Sequence, residues 1–230
     1  ILSRINSINH VSIILDGNKR WAKNKNIPII NAYSAGIHNV LNISKELIKK
    51  KIKYFSVFTL STENLKRASI NIIFDSIFVQ FSNFLEKIIH EKSIKIKVIG
   101  ERHNLPAKLI KLITEAENKT DQHKKLTLIL AFNYGFKNEV ISAFKKGYKE
   151  VEIKKNLQHI NINNLFYLGE IPDPDILIRT GGFKRLSNYL MYNLCYTELF
   201  FTKTLWPEFE KKELENIIKE FQNIKRNYGL

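Results

Sequence analysis

A chain of 230 residues, 44% of them hydrophobic, can fill one large domain or two small ones and bury a substantial core. Its 37 Lys and Arg against 22 Asp and Glu leave a formal charge of +15, which suits a phosphorylated substrate, an anionic lipid surface or a nucleic acid. The basic residues are scattered, the longest basic run is Lys49-Lys50-Lys51, and no nucleic-acid motif accompanies them, so a generally Lys-rich surface is the preferred reading and no nucleic-acid partner is expected. The single cysteine, Cys195, excludes an internal disulfide framework and fits a reducing compartment. No apolar run approaches the ~18 residues of a membrane span, and the first residues carry no signal-peptide core.

The chain opens on its most informative stretch. Val11 to Leu15 is an apolar run that ends in Asp16, followed by Gly17-Asn18, a turn, and then Lys19, Arg20 and Trp21. This is the pattern of a buried strand that delivers a carboxylate to its C-terminal edge and then enters a helix. Gly17 permits a tight turn or a close approach to a ligand. The unpaired N–H groups of the following helix favour an anion, Asp16 suits a hard cation such as Mg²⁺, and Arg20 can fork onto phosphate oxygens. The same residues also suit a strand, a turn and a surface salt bridge.

Residues 23–33 read as a loop because of Pro28 and several Asn, and Ser34 to Lys51 as a helix with Ile37, Val40, Leu41, Ser44, Leu47 and Ile48 on one face. Tyr54 to Leu60 is a strand whose exit carries Ser61-Thr62-Glu63-Asn64, then Leu65, Lys66 and Arg67; that cluster is equally a good N-cap region. Ile70 to Ile89 is a long helix with a broad Ile- and Phe-rich face, which suits core or the wall of a cavity for a long apolar ligand. Ile94 to Ile99 alternates Ile and Lys as an edge strand does, Pro106 to Asn118 is a helix, and Leu126 to Phe132 is a central strand leaving into Asn133-Tyr134-Gly135. A helix over Lys137 to Tyr148 precedes the least legible part, residues 149–174. Asp175 to Ile178 is a short strand that exits into Arg179-Thr180-Gly181-Gly182, with Arg185, Leu186 and Ser187 beyond: two Arg around a Gly-Gly turn are a phosphate cradle or a glycine loop with solvated arginines. Glu198 to Thr202 is a last strand, and Glu210 to Tyr228 a charged amphipathic helix. Strands alternating with helices predict an α/β fold, a single domain over residues 1–230 with a central, mostly parallel sheet flanked by helices. In such sheets ligands sit beyond the carboxyl ends of the strands, where Asp16, Ser61 to Asn64, Asn133 and Arg179 fall.

Five blocks in order carry a resemblance: His10-Val-Ser-Ile-Ile-Leu-Asp-Gly-Asn-Lys-Arg-Trp-Ala, Ser61-Thr-Glu-Asn, Asn133-Tyr-Gly, Ile178-Arg-Thr-Gly-Gly with Arg185-Leu-Ser-Asn, and Tyr196-Thr-Glu-Leu-Phe-Phe-Thr with Leu205-Trp-Pro-Glu-Phe. Together, from about His10 to Tyr228, they resemble the cis-prenyltransferases, most of all the bacterial branch. The resemblance implies that family's α/β domain, a homodimer, and Mg²⁺-dependent condensation of isopentenyl diphosphate onto farnesyl diphosphate with cis double bonds. The implied product is a long polyprenyl diphosphate, undecaprenyl in the bacterial branch, the precursor of the lipid carrier for cell-wall polysaccharides. Dehydrodolichyl diphosphate, or a weakly active partner subunit of the same fold, is the alternative. It further implies Asp16 and Asn64 as catalytic, Asp16 as the Mg²⁺-linked carboxylate with Glu198 supporting the metal and dimer-side arrangement, Gly17, Asn18 and Arg20 with Lys19 beside them at the allylic diphosphate, and Trp21 with the Ile70 to Ile89 helix along a product tunnel. Arg179, Arg185, Leu186 and Ser187 are implied for isopentenyl diphosphate, and Ser61, Thr62, Glu63, Leu65 and Arg67 near the reacting centre. A trans-prenyl synthase, all-helical with Asp-Asp-x-x-Asp pairs, does not fit a chain holding only Asp173-Pro-Asp175. The implied location is cytoplasmic, with peripheral contact to the inner membrane face through the Lys-rich surface.

The chain departs from the family pattern at Lys19, where Gly is usual; at Ile29 and Tyr33, where Arg and His are usual; at Phe183, often Glu; and at Leu65, often Trp. Each charged hydrogen bond lost to a phosphate removes ~1.5–3 kcal/mol, so Ile29 and Tyr33 predict a looser starter site, which Lys19 offsets in part.

Overall fold

The computed structural model describes residues 6–65, 70–103, 105–154 and 160–226, with the side chains of residues 70–78 and 154 left undescribed. Six strands form one sheet: β1 His10–Ile14, β2 Tyr54–Ser61, β3 Ile94–Ile99, β4 Leu126–Tyr134, β5 Ile176–Arg179 and β6 Glu198–Phe201. Their order is β3-β4-β2-β1-β5-β6, and every neighbouring pair is parallel. All carboxyl ends therefore lie on one rim. The chain builds β2, β3 and β4 on one side of β1, then crosses to build β5 and β6 on the other. The join of β1 and β5 is thus the point where the winding reverses, the place where open parallel sheets take ligands.

Both faces of the sheet are covered, which is why its strands are apolar runs. Val11, Ile13, Phe55, Val57, Leu128, Leu130, Ile176 and Ile178 point to one face, under α2 (Ile29–Lys49), α4 (Ile70–His90), α5 (Ala107–Thr120) and α7 (Lys211–Asn223). Ile14, Ile129, Ala131 and Leu177 alternate to the other, under Tyr134, Leu168, Tyr189 and Leu190. Each fully buried side chain of this size contributes roughly 1.5–3 kcal/mol. β3 lies at the sheet edge and keeps its alternation, with Lys95 and Lys97 turned from the larger core.

Several boundaries differ from the sequence reading. Residues 23–33 are mostly helical: α1 spans Asn18–Lys25 and α2 begins at Ile29, immediately after Pro28 at its N-cap. A proline there has the fixed φ that suits a helix start, so it marks an entry rather than a loop. β4 continues through Asn133 to Tyr134, because Tyr134 pairs with Ser61 and its ring is buried. A four-residue helix, α3 (Thr62–Leu65), follows β2, and α6 (Phe136–Lys154) is longer than the pattern suggested. α7 stops at Asn223, where Ile224 turns extended. Among the described residues no helix is long and apolar enough to cross a membrane.

Candidate active site

Asp16 leaves β1 at the switch point, held from three sides. Its Oδ2 accepts from Nη2 of Arg179 at 2.8 Å and its Oδ1 from Nη2 of Arg20 at 3.2 Å. Its backbone carbonyl accepts from Oγ1 of Thr180 at 2.8 Å and from the Trp206 amide at 3.0 Å. The loops after β5 and β6 are stitched together by Gly181 N–H to Thr204 O and Gly182 N–H to Thr202 O, both 2.7 Å. Gly17, at φ 114°, makes the turn into α1 that puts Arg20 one helical turn from Asp16.

Arg179 is 3% exposed. Besides Asp16, its Nη1 donates to Oγ of Ser187 at 2.7 Å and to the carbonyl of Arg185, while its buried Nε–H has no partner. Phe183, on the loop that follows, lies under three guanidiniums: their central carbons are 4.3 Å (Arg185), 4.9 Å (Arg20) and 5.9 Å (Arg179) from the ring centroid. Two guanidiniums thus clasp one carboxylate, and three meet at one ring. With the N-terminus of α1 on the same rim, this is an electropositive cluster that can hold a multiply charged anion.

The structure brings together Asp16, Gly17, Arg20, Arg179, Arg185 and Ser187. It does not bring Glu198 to them. Glu198 pairs with Ile176 at the first row of β6, level with Val11, so it stands on the order of 10–15 Å down the strands from Asp16. Its side chain lies 3.8 Å from Arg226 at the opposite end. Within one chain the two carboxylates therefore do not share an ion, which leaves Glu198 to the dimer-side arrangement that the resemblance implies. Among the described residues no group of three or more His, Cys, Asp or Glu forms a metal site.

The remaining candidates take other places. Asn18 donates Nδ2 to Leu15 O and closes the turn, Lys19 is exposed, and Trp21 donates its indole N–H to Glu208 at 3.0 Å. Ser61 Oγ accepts from the Asn64 amide at 3.1 Å, the N-cap arrangement; Thr62 is buried, Glu63 and Asn64 are exposed, and Leu65 and Leu186 pack against the two cores. Arg67 lies outside the described residues. Ile29 and Tyr33 both sit in the first turns of α2. Two positioning residues went unmarked in the sequence: Thr180, and Asn188, which donates to Glu63 at 2.9 Å and accepts from the Lys137 amide, tying α3 and α6 to the Ser187 loop. Both stand inside the quoted blocks, which was the signal available.

Between α2 and α4 a cavity of about 60 Å³ is lined by Ile37, Leu41 and Phe84 together with the polar Ser34, His38, Gln80, Asn83 and Lys87, well below the 300–1,000 Å³ of ordinary ligand pockets, and the side chains of residues 70–78, on the expected channel wall, lie outside the description. A larger cavity, about 550 Å³, lies elsewhere, between β3 and α6 beside Lys97, His103 and Tyr167.

A family described as putative undecaprenyl diphosphate synthase matches residues 14–229. The chain belongs to this prenyltransferase family. Its relatives include an isoprenyl transferase of Thermotoga maritima, 36% identical over 96% of both chains, and one of Rickettsia bellii, 37% identical over 97% of this chain and 98% of the relative. A probable undecaprenyl diphosphate synthase from Campylobacter jejuni superposes with a TM-score of 0.79 at 30% identity, over 98% of this chain and all of that one. Lavandulyl diphosphate synthase from Lavandula x intermedia, solved with dimethylallyl diphosphate, superposes at 0.89 with 28% identity, over 97% and 98%. As a prenyltransferase of this family, the chain transfers isoprenyl groups, and the electropositive rim at β1 and β5 is where its substrates' charge can be held.

Proposed function

We propose that this prenyltransferase is Mg²⁺-dependent and condenses isopentenyl diphosphate onto an allylic diphosphate, with farnesyl diphosphate as starter and a long cis-polyprenyl diphosphate, undecaprenyl, as product for cell-wall lipid carrier. The observation that carries this reading is Asp16 clasped by Arg20 and Arg179 at the reversal of the sheet, beside a third guanidinium. The dimethylallyl diphosphate of the Lavandula enzyme supports a prenyl diphosphate as ligand.

Asp16 fits Mg²⁺ as a hard, part-exposed oxygen donor on the rim, since Mg²⁺ asks for only one or two carboxylates beside substrate phosphates, which would also offset the nearby guanidiniums. When bound, the ion would supply charge neutralisation on a diphosphate leaving group. The chain does the rest. Arg20 and the N–H groups of α1 hold the allylic diphosphate while its C–O bond breaks and negative charge grows on the departing oxygen. Arg179, Arg185 and Ser187 hold the diphosphate of isopentenyl diphosphate, so that its double bond meets the allylic carbon. A C–C bond forms there, and the proton released from the adjacent carbon passes to a base at the rim, for which Asp16 is the candidate. Arg179 Nε, without a partner, offers one more donor to a phosphate oxygen.

An apolar stripe on α6, with Ile141 57%, Phe144 76% and Tyr148 68% exposed at helical spacing, supports a homodimer. The scattered Lys supports peripheral attraction to the anionic inner face of the membrane from the cytoplasm.

The test is incubation of the chain with Mg²⁺, farnesyl diphosphate and labelled isopentenyl diphosphate, followed by sizing of the extracted lipid. A ladder ending near eleven isoprene units, roughly the undecaprenyl length, supports the reading. One or two additions overturn the long product, and no labelled lipid overturns the condensation itself.

A further inference from the structure

We propose that Phe183 is a positioning residue for diphosphate binding: its ring attracts the guanidiniums of Arg185 and Arg20 without replacing the substrate as the acceptor of their N–H donors. The proposal rests on the reading of this cluster as a diphosphate site. Arg179 is fixed by its edges, through Asp16, Ser187 and the Arg185 carbonyl. Arg185 is different. Among the described residues its guanidinium has no hydrogen bond or ion pair, and its contact is the Phe183 ring at 4.3 Å. Arg20 gives one N–H to Asp16 and lies 4.9 Å from the same ring.

The chemistry of the ring explains why this matters. The face of an aromatic ring is negative and attracts a guanidinium plane without accepting its N–H groups. Three like charges around one ring repel one another, and an exposed Arg side chain otherwise samples many rotamers. A carboxylate at position 183 would also gather them, but it would accept the very donors that a diphosphate needs and would cancel a unit of positive charge. An aliphatic side chain would do neither. Phe183 gathers cations and leaves the site's net charge untouched. Its own place is set by Gly181 and Gly182, whose amides are tied to Thr204 and Thr202, so the ring rides on a fixed turn.

Titration of inorganic pyrophosphate into the full chain by calorimetry tests this, with Phe183→Tyr, Phe183→Leu and Phe183→Glu beside the wild type. The expected order is wild type and Phe183→Tyr alike, Phe183→Leu weaker by about fivefold to tenfold (tenfold being ~1.4 kcal/mol), and Phe183→Glu weakest. The ring is 42% exposed, so the thermal midpoint of Phe183→Leu stays with the wild type. Wild type and Phe183→Leu binding equally well overturns the inference and leaves the diphosphate site standing. Failure of Phe183→Tyr to keep the affinity, or a midpoint that falls in step with affinity, also overturns it. No pyrophosphate binding by the wild type overturns the diphosphate reading and the inference with it.

Discussion

Asp16 and Arg179 stand 163 residues apart in the chain and 2.8 Å apart in space, carboxylate to guanidinium, across the join of β1 and β5. Arg179 is almost wholly buried and Asp16 is about a quarter exposed, so the pair is asymmetric. Removing the acid strands a buried cation, while removing the cation frees an acid that reaches water. Asp16→Ala should therefore lower stability by about 3 kcal/mol, the lower end for a broken buried pair, and Arg179→Met by less. Denaturant midpoints of the two variants check the order.

Arg179→Lys should keep the charge and lose the fork. One ammonium cannot reach Asp16, Ser187 and the Arg185 carbonyl together. The expected outcome is a KM for isopentenyl diphosphate raised about tenfold or more, from the loss of a charge-assisted bond of ~1.5–3 kcal/mol. Steady-state kinetics with the isopentenyl substrate varied measure it.

Gly181 has φ +82°, and a Cβ there would come 2.5 Å from Nη2 of Arg20 and 3.0 Å from the Asp16 carbonyl. Gly181→Ala adds left-handed strain of roughly 1–3 kcal/mol and pushes Arg20 off Asp16. Turnover should fall more than stability does; a melting curve and a rate on the same preparation separate the two.

His10 sits fully buried between the Pro172 carbonyl on Nδ1 at 2.6 Å and Ser56 Oγ on Nε2 at 2.9 Å, and burial pulls its pKa down to about 4. The folded imidazole is neutral where the unfolded one already takes a proton. Its contribution is thus complete above about pH 6.5 and is lost as the pH falls from there toward 4, by about 3 kcal/mol in all. Urea midpoints across that window should fall for the wild type and fall less steeply for His10→Gln.

Much of this arrangement was legible because strand exits announce themselves. The run Val11 to Leu15 ends in an acid and a glycine, and Ile176 to Ile178 ends in an Arg and two glycines, so both cluster halves could be read without knowing that they meet. Their meeting depends on β5 lying beside β1, which no local pattern encodes. Register hid Glu198: a strand residue's height along the sheet is set by its partners, and pairing with Ile176 puts it at the far end. Pro28 misled because the same fixed φ serves a loop and a helix entry. Phe183 read as the loss of an acid, whereas its place against Arg20 and Arg185 is visible only in three dimensions.

The rate of labelled isopentenyl incorporation by Asp16→Asn, set against the wild type at equal folded concentration, tests the central claim most directly. The substitution keeps the size, removes the negative charge between Arg20 and Arg179, and turns one of the two accepting oxygens into a donor. A carboxylate that holds the ion or takes the proton predicts a loss of about 100-fold or more, with circular dichroism unchanged. Incorporation at the wild-type rate would contradict the assignment of the rim between β1 and β5 as the reacting centre.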